Sequence, residues 1–248
     1  MRLLSSVSLQ GALLLMTTLA EPTIAASYPA LRGTVTLAGE SPPQLPLKRG
    51  TDPACRGGAA LNQEVLVDQG KLQNVAVWLE QVGQSPAQDT LGKKEASMPP
   101  PLTVVQRQCD YLPRVQVGRL GQMLQLINSD NTLHNIHGYR ESRTLFNRAQ
   151  PPRANPIQQG PLRDVGITKL RCDVHPWMTG YVLVPPTPFA SKFSAVSNYR
   201  GEFSIEAPPP GAYTLHAWHE KFGQKKMPIQ WPITESHETS IQFNTADR

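Results

Sequence analysis

The strongest chemical signal in the chain is a run of metal-donor atoms. Cys172, His175 and Met178 fall within seven residues, in the order Cys-Asp-Val-His-Pro-Trp-Met. They bring a thiolate, an imidazole and a thioether. An ion that cycles between Cu(I) and Cu(II) wants this set: a soft thiolate, nitrogen ligands and a weak axial thioether. One imidazole is missing and must come from elsewhere. The stretch Asn128-Ser-Asp-Asn-Thr-Leu-His134-Asn-Ile-His137 supplies two, 35–41 residues upstream of Cys172 and His175. Two histidines, one cysteine and one methionine make a type 1 (blue) copper site. Zinc is the rival metal, but structural zinc sites use two or more Cys in close pairs and carry no Met. A buried free thiol beside an unrelated surface histidine is the other alternative. It leaves three donors in so short a span unaccounted for.

For these groups to meet, Cys172 must finish a strand and His175 and Met178 must curl back from the loop that follows. The second imidazole must stand at the end of a neighbouring strand. Such strands are visible. Ala30–Gly39 alternates apolar and polar residues and stops at Gly, and Glu64–Val82 reads as two strands around an Asp-Gln-Gly turn. Gln84–Pro101 has no periodicity and reads as an exposed loop. Further strand patterns follow in Leu102–Gln108, Arg114–Gly118, Gln122–Asp130 and Thr132–Tyr139. Two more flank the Pro-containing turn of Gly166–Pro186, and short runs continue to the C-terminus. No amphipathic helix longer than about two turns and no internal repeat is visible. Many short strands with turn signals predict an all-β chain of two sandwiches. The expected boundary is near residue 187, with the first unit over 28–186 and the second over 187–248.

Composition agrees. Of 248 residues, 24 are Pro and 18 are Gly, and Pro removes a backbone donor and clashes with the preceding helical turn. The net charge of +5 comes from scattered Lys and Arg, with no basic stripe and no interleaved aromatics, which sets a nucleic-acid partner aside. Met1-Arg2 followed by the apolar Gly11–Ala20 and the small-residue stretch up to Ala26 reads as an export signal over residues 1–25. An uncleaved N-terminal anchor is the alternative, and no later segment is apolar enough to span a bilayer. The chain has three cysteines, and in an oxidising compartment an odd one needs a reason. Cys55 and Cys109 sit in ordinary surroundings and Cys172 lies beside a His and a Met. The expectation is a Cys55–Cys109 disulfide, with Cys172 left as a thiolate ligand.

Residues 102–186 resemble a cupredoxin, specifically the amicyanin and plastocyanin branch. An Asn-rich strand end leading into His134-Asn135 matches one signature of that family. Cys172, His175 and Met178 match the other, with the short, amicyanin-like gap before Met. The resemblance implies a Greek-key β-sandwich holding one copper ion on His134, Cys172, His175 and Met178. It also implies that Asn135 tethers the two ligand loops by hydrogen bonding. His134 and His137 are three apart and point to opposite faces of a strand. The resemblance, where the first His is the ligand, selects His134. The whole chain is similar to exported bacterial plastocyanin-like proteins, some labelled methylamine utilization proteins. Those join a cupredoxin to a carboxypeptidase-regulatory or transthyretin-like β-sandwich. Gly201–Ile205, Pro210–Leu215 and Ala217–Glu220 carry that second likeness, and residues 30–83 would then belong to an enlarged cupredoxin sandwich.

The function this implies is one-electron transport between redox protein partners in the periplasm or envelope, with the exposed edge of His175 as the electron's exit. Copper trafficking, or an envelope interaction module with incidental copper, are the alternatives. Trp177 is either a docking aromatic or a loop residue packing over the site's edge. His216 and His219, with no Cys or carboxylate cluster beside them in sequence, read as structural. Lys93-Lys94 and Lys225-Lys226 read as solvated surface. A copper enzyme needs further paired histidines for a second centre, and six His in total leave few. No hydrolase elbow or phosphate loop is present, so no enzymatic activity is expected.

Overall fold

The computed structural model describes residues 28–50, 52–58, 61–83, 99–233 and 239–247. The segment read as an export signal and most of the Gln84–Pro101 loop lie outside them. Among the described residues no helix is long and apolar enough to cross a membrane.

The chain is all-β. The alternation in its sequence becomes strands with one face inward: Leu31, Val35 and Leu37 of β1 (Leu31–Ala38) are buried while Arg32 is exposed. Four short-to-medium strands occupy the first part of the chain: β1, β2 (Val67–Asp68), β3 (Lys71–Leu72) and β4 (Ala76–Gln81). The middle carries β5 (Leu102–Arg107), β6 (Asp110–Leu112), β7 (Val115–Val117), β8 (Leu124–Asn128) and β9 (His134–Arg140). It continues with β10 (Arg143–Gln150), β11 (Ile157–Gln159), β12 (Gly166–Arg171) and β13 (Thr179–Val184). The last part holds one short helix, α1 (Pro188–Lys192), then β14 (Ser194–Val196), β15 (Glu202–Ile205), β16 (Gly211–His219), β17 (Gly223–Trp231) and β18 (Thr239–Asn244).

The middle strands form two sheets, β11-β8-β5-β6 and β10-β9-β12-β13-β7, which close on a core of Val104, Tyr111, Leu124, Leu126, Ile136, Leu170 and Val182. The outer strands form two others. One has β1 flanked by β15 and β3 on its path and by β18, and the second runs β14-β4-β16-β17. These share a separate core that includes Leu31, Val35, Leu79, Phe203, Ile205, Tyr213 and Phe243.

Here the sequence expectation needs correcting. Residues 30–83 do not join the sandwich of 102–186: β1 pairs with β15 and, in parallel, with β18, while β4 pairs with β14 and β16. The middle sandwich is therefore inserted into one built from both ends of the chain. Neighbouring strands in sequence usually pair, and that default misled. The true partners are fixed by non-local fit. A Cβ at Gly33 would stand 2.2 Å from the Thr239 carbonyl and 2.6 Å from the Phe203 ring, so only glycine lets β1 lie this close to the C-terminal strands.

Two strands are buried on both faces because each borders its own sandwich's core on one side and the seam between the sandwiches on the other. In β4, Val77 and Leu79 face the outer sandwich while Ala76 and Trp78 face a third cluster. In β13, Val182 and Val184 face the inserted core while Tyr181 and Leu183 meet that same cluster. Trp218 of β16, Val115 of β7 and Ala190 of α1 complete it. At about 1.5–3 kcal/mol per fully buried large side chain, this seam holds the two sandwiches together. A bidentate ion pair reinforces it: Arg114, between β6 and β7, meets Glu220 in the β16–β17 turn at 2.5 and 2.9 Å.

Candidate metal centre

The register of the inserted sandwich places the donors. The β12–β13 ladder ends at Arg171 opposite Thr179, so Cys172–Met178 is the turn between the two strands. Its backbone closes tightly, with Met178 N–H donating to the His175 carbonyl at 2.9 Å and Cys172 N–H to the Met178 carbonyl at 3.3 Å. The His175 amide lies 3.4 Å from Cys172 Sγ, a donor suited to a thiolate. On the neighbouring strand, His137 stands opposite Arg171, which brings Asn135 level with Asp173 and His134 beyond it.

His134 opens β9 because the loop before it is folded on Asn128. That amide donates to the carbonyls of Thr132, Gln150 and Pro151 at 2.9–3.0 Å, and its oxygen accepts from Asp130 N–H at 3.0 Å. The result is convergence. His134 Nδ1 and His175 Nδ1 are 2.9 Å apart and Cys172 Sγ is 3.8 Å from His175 Nδ1. Donor atoms of His134, Cys172 and His175 all lie within 4.8 Å of one another. All three residues and Met178 are buried.

The far nitrogens are held by carboxylates. His134 Nε2 meets Asp130 at 2.8 Å and His175 Nε2 meets Asp52 at 3.2 Å. Each ring thus has an acceptor for an Nε2–H, which leaves Nδ1 as a lone pair. Burial holds His134 below the usual imidazole value, against the pull of Asp130, so its neutral form is favoured. Two lone pairs facing each other at 2.9 Å repel unless a proton or a cation lies between them. With a thiol beside them, these residues fit a soft, nitrogen-accepting ion such as copper.

Both carboxylates are themselves fixed. Asp130 accepts from the amides of Gln108 and Cys109 at 2.6 and 2.9 Å, in the β5–β6 turn where both residues have positive φ. Asp52 accepts from Thr132 Oγ1 at 2.6 Å and from Ala54 N–H at 2.9 Å, and these bonds hold its carboxyl below the usual range. Asp52 begins a short turn, Pro53–Cys55, that is bound to the β5–β6 turn by the Cys55–Cys109 disulfide. Arg49 adds bonds to the Gln108 carbonyl and to Asp110 at 2.8 and 2.7 Å.

This cap corrects one expectation: the edge of His175 is not exposed. The residue is only 3% accessible, and its outer nitrogen faces Asp52. Trp177 is half-buried, its Nε1–H donating to the Cys109 carbonyl at 3.0 Å and its ring lying under Arg49.

Asn135 sits between the two donor loops. Its oxygen accepts from Asp173 N–H at 2.7 Å and from the Cys172 thiol at 3.3 Å, and its nitrogen donates to Asp173 and Asn147 at 2.7 and 2.8 Å. The Tyr111 hydroxyl donates to its carbonyl. His137 does not join the donors; it meets Asp173, Thr144 and Tyr139 near the surface. His216 stacks on Trp78, 3.2 Å from Glu80, and His219 packs against Phe222 and Phe243 in the outer core. Asp52 and Asp130 were missed in the sequence. Asp130 lies in the motif that supplies His134 and could have been weighed, whereas nothing local marks Asp52.

No protein-family model and no curated protein matches the sequence. Among solved structures, a purple cupredoxin from Nitrosopumilus maritimus matches at 21% identity and TM-score 0.30, over 34% of this chain and 98% of its own. A reduced amicyanin variant matches at 18% identity and TM-score 0.31, over 43% of this chain and 98% of its own. A copper-containing nitrite reductase from Thermus scotoductus SA-01 matches at 18% identity and TM-score 0.31, over 36% of this chain but only 23% of the reductase.

Proposed function

We propose that the chain is a cupredoxin-like, type 1 copper protein that carries one electron between redox protein partners, and that it is exported, with residues 1–25 as its signal. The observation that carries this reading is the buried meeting of His134 Nδ1, His175 Nδ1 and Cys172 Sγ within 4.8 Å. His134, Cys172 and His175 would hold the ion, with Met178 as weak axial donor at the end of the same turn. Copper bound there supplies a reversible one-electron couple.

The remaining work is done by the protein. Asp130 and Asp52 orient the two imidazoles so that Nδ1 faces inward, and Asn135 keeps the Cys172 turn in step with the strand of His134. Burial excludes water, and a centre built on paired strands and a stapled turn leaves little to rearrange when charge changes. That keeps the barrier to electron exchange low. With His175 capped, the electron's path must leave by another side of the centre. This is a carrier's site rather than an enzyme's.

Voltammetry of the copper-loaded chain tests the reading. A reversible one-electron wave in the wild type that is absent from Cys172→Ser supports it. Irreversible loss of copper on reduction rejects it in favour of delivery of Cu(I).

A further inference from the structure

The disulfide lies against the metal centre. Donor atoms of Cys55, Cys109 and His175 are within 4.8 Å of one another, and Cys109 also stands within 4.8 Å of the donor atoms of Asp130 and His134. Both sulfurs are fully buried. As a disulfide they ligate nothing. As thiolates, with Cα atoms 5.2 Å apart on two crossing turns, they become two soft donors beside an imidazole in a site closed to water. That composition selects Cu(I), for which thiolate is the preferred ligand.

We propose that the dithiol form of the chain carries a second copper site, a Cu(I) site made by Cys55, Cys109 and His175, which disulfide formation abolishes. The two states differ by a balanced exchange. A dithiol reductant transfers two electrons to the pair, the Cys55–Cys109 bond breaks to give two thiols, and the reductant leaves as its own disulfide. Binding of Cu(I) then releases the thiol protons to solvent. In the reverse direction a disulfide donor accepts the two electrons and becomes a dithiol, the copper leaves, and the bond forms again. Closure also fixes the turn that places Asp52 on His175. One covalent bond therefore decides whether His175 faces a soft-metal donor pair or a carboxylate cap. Because the sulfurs are buried, the dithiol form is best made by producing the chain under reducing conditions rather than by reducing the folded protein.

The site shares His175 with the proposed electron-transfer centre but does not need Cys172, and this separates the two readings. The full-length Cys172→Ser chain is prepared anaerobically in dithiol and disulfide forms, loaded with Cu(I), and titrated with a chromophoric Cu(I) chelator. The dithiol form is expected to keep one copper per chain against well over about tenfold more chelator than the disulfide form, since losing two ligands costs more than the roughly tenfold loss of a mere supporting contact. X-ray absorption should show two more sulfur neighbours at the copper. Equal retention in both forms, or an unchanged sulfur count, overturns the proposal.

If circular dichroism shows that this variant does not fold as a dithiol, the same sulfur count on the wild-type dithiol and disulfide forms decides. Here two additional sulfurs are expected when summed over all the copper bound per chain, and no increase overturns it. The visible spectrum of the wild-type disulfide form reports the Cys172 centre alone, so either idea can fail without the other.

Discussion

Replacing Asn135 by Ala removes a side chain that ties the two donor loops together. Its four hydrogen bonds do not count equally. Those to Asn147 and to the Asp173 carboxylate reach groups at the surface, where water takes over the vacated positions. The bonds that accept from Asp173 N–H and from Cys172 lie inward. At about 0.5–1.5 kcal/mol per ordinary hydrogen bond, plus the space left by a buried amide, the copper-free protein should lose about 2 kcal/mol. That is roughly a thirtyfold shift in the folding equilibrium, since each 1.4 kcal/mol is tenfold.

Urea unfolding of the apoprotein, followed by far-UV circular dichroism, measures the stability directly. The midpoint should fall with an unchanged slope, because the surface exposed on unfolding stays the same. Copper retention should weaken about 10–100-fold, as for other contacts that orient ligands without touching the metal. A variant within about 0.5 kcal/mol of wild type, the scatter of ordinary surface substitutions, and with undiminished copper affinity would refute the claim that Asn135 couples the loops.

Three further outcomes follow from the same geometry. Glu220→Gln leaves Arg114 charged, largely buried and unpaired, and should cost about 3–5 kcal/mol in urea unfolding. Adding Arg114→Met should recover much of that, and equal losses in the single and double variants would contradict a buried pair. His219 is held to about 4, chiefly by burial and then by Arg114. The unfolded chain takes up its proton near 6.5 while the folded chain does not. Stability should therefore decline as pH falls from 6.5 toward 4, by about 3 kcal/mol in all; a stability–pH slope identical in His219→Phe would exclude this group as the cause. Asp52→Ala should uncover His175 and speed copper removal by a chelator about tenfold or more, and an unchanged removal rate would show that the turn does not guard the site.

Much of this centre was legible in the sequence because its chemistry is local. Cys172, His175 and Met178 share one turn, so their spacing points to the donors, while the cupredoxin resemblance selects His134 over His137 and gives Asn135 its tethering role. The all-β character was legible for the same reason, from proline density and period-two patterning. Contacts between distant segments were not. Asp52 reaches His175 across 123 residues of chain, and an aspartate in a loop without periodicity gives no sign of such a partner. The parallel β1–β18 pairing depends on Gly33 fitting under Phe203 and Thr239, a matter of shape rather than pattern. β4 reads as a plain apolar run, and only the packed structure shows that its two faces serve different cores. The Cys55–Cys109 pairing was expected from the cysteine count. Its place against the metal centre was not, because it follows from how the β5–β6 turn meets the N-terminal cap.

The most direct test of the copper centre is the visible absorption and electron paramagnetic resonance of the chain loaded with one Cu(II). A centre on His134, Cys172, His175 and Met178 predicts an intense thiolate-to-copper charge-transfer band and narrow copper hyperfine splitting, both lost in Cys172→Ser. A pale spectrum with wide splitting, unchanged by that substitution, would show that Cys172 does not bind the ion and would contradict the account.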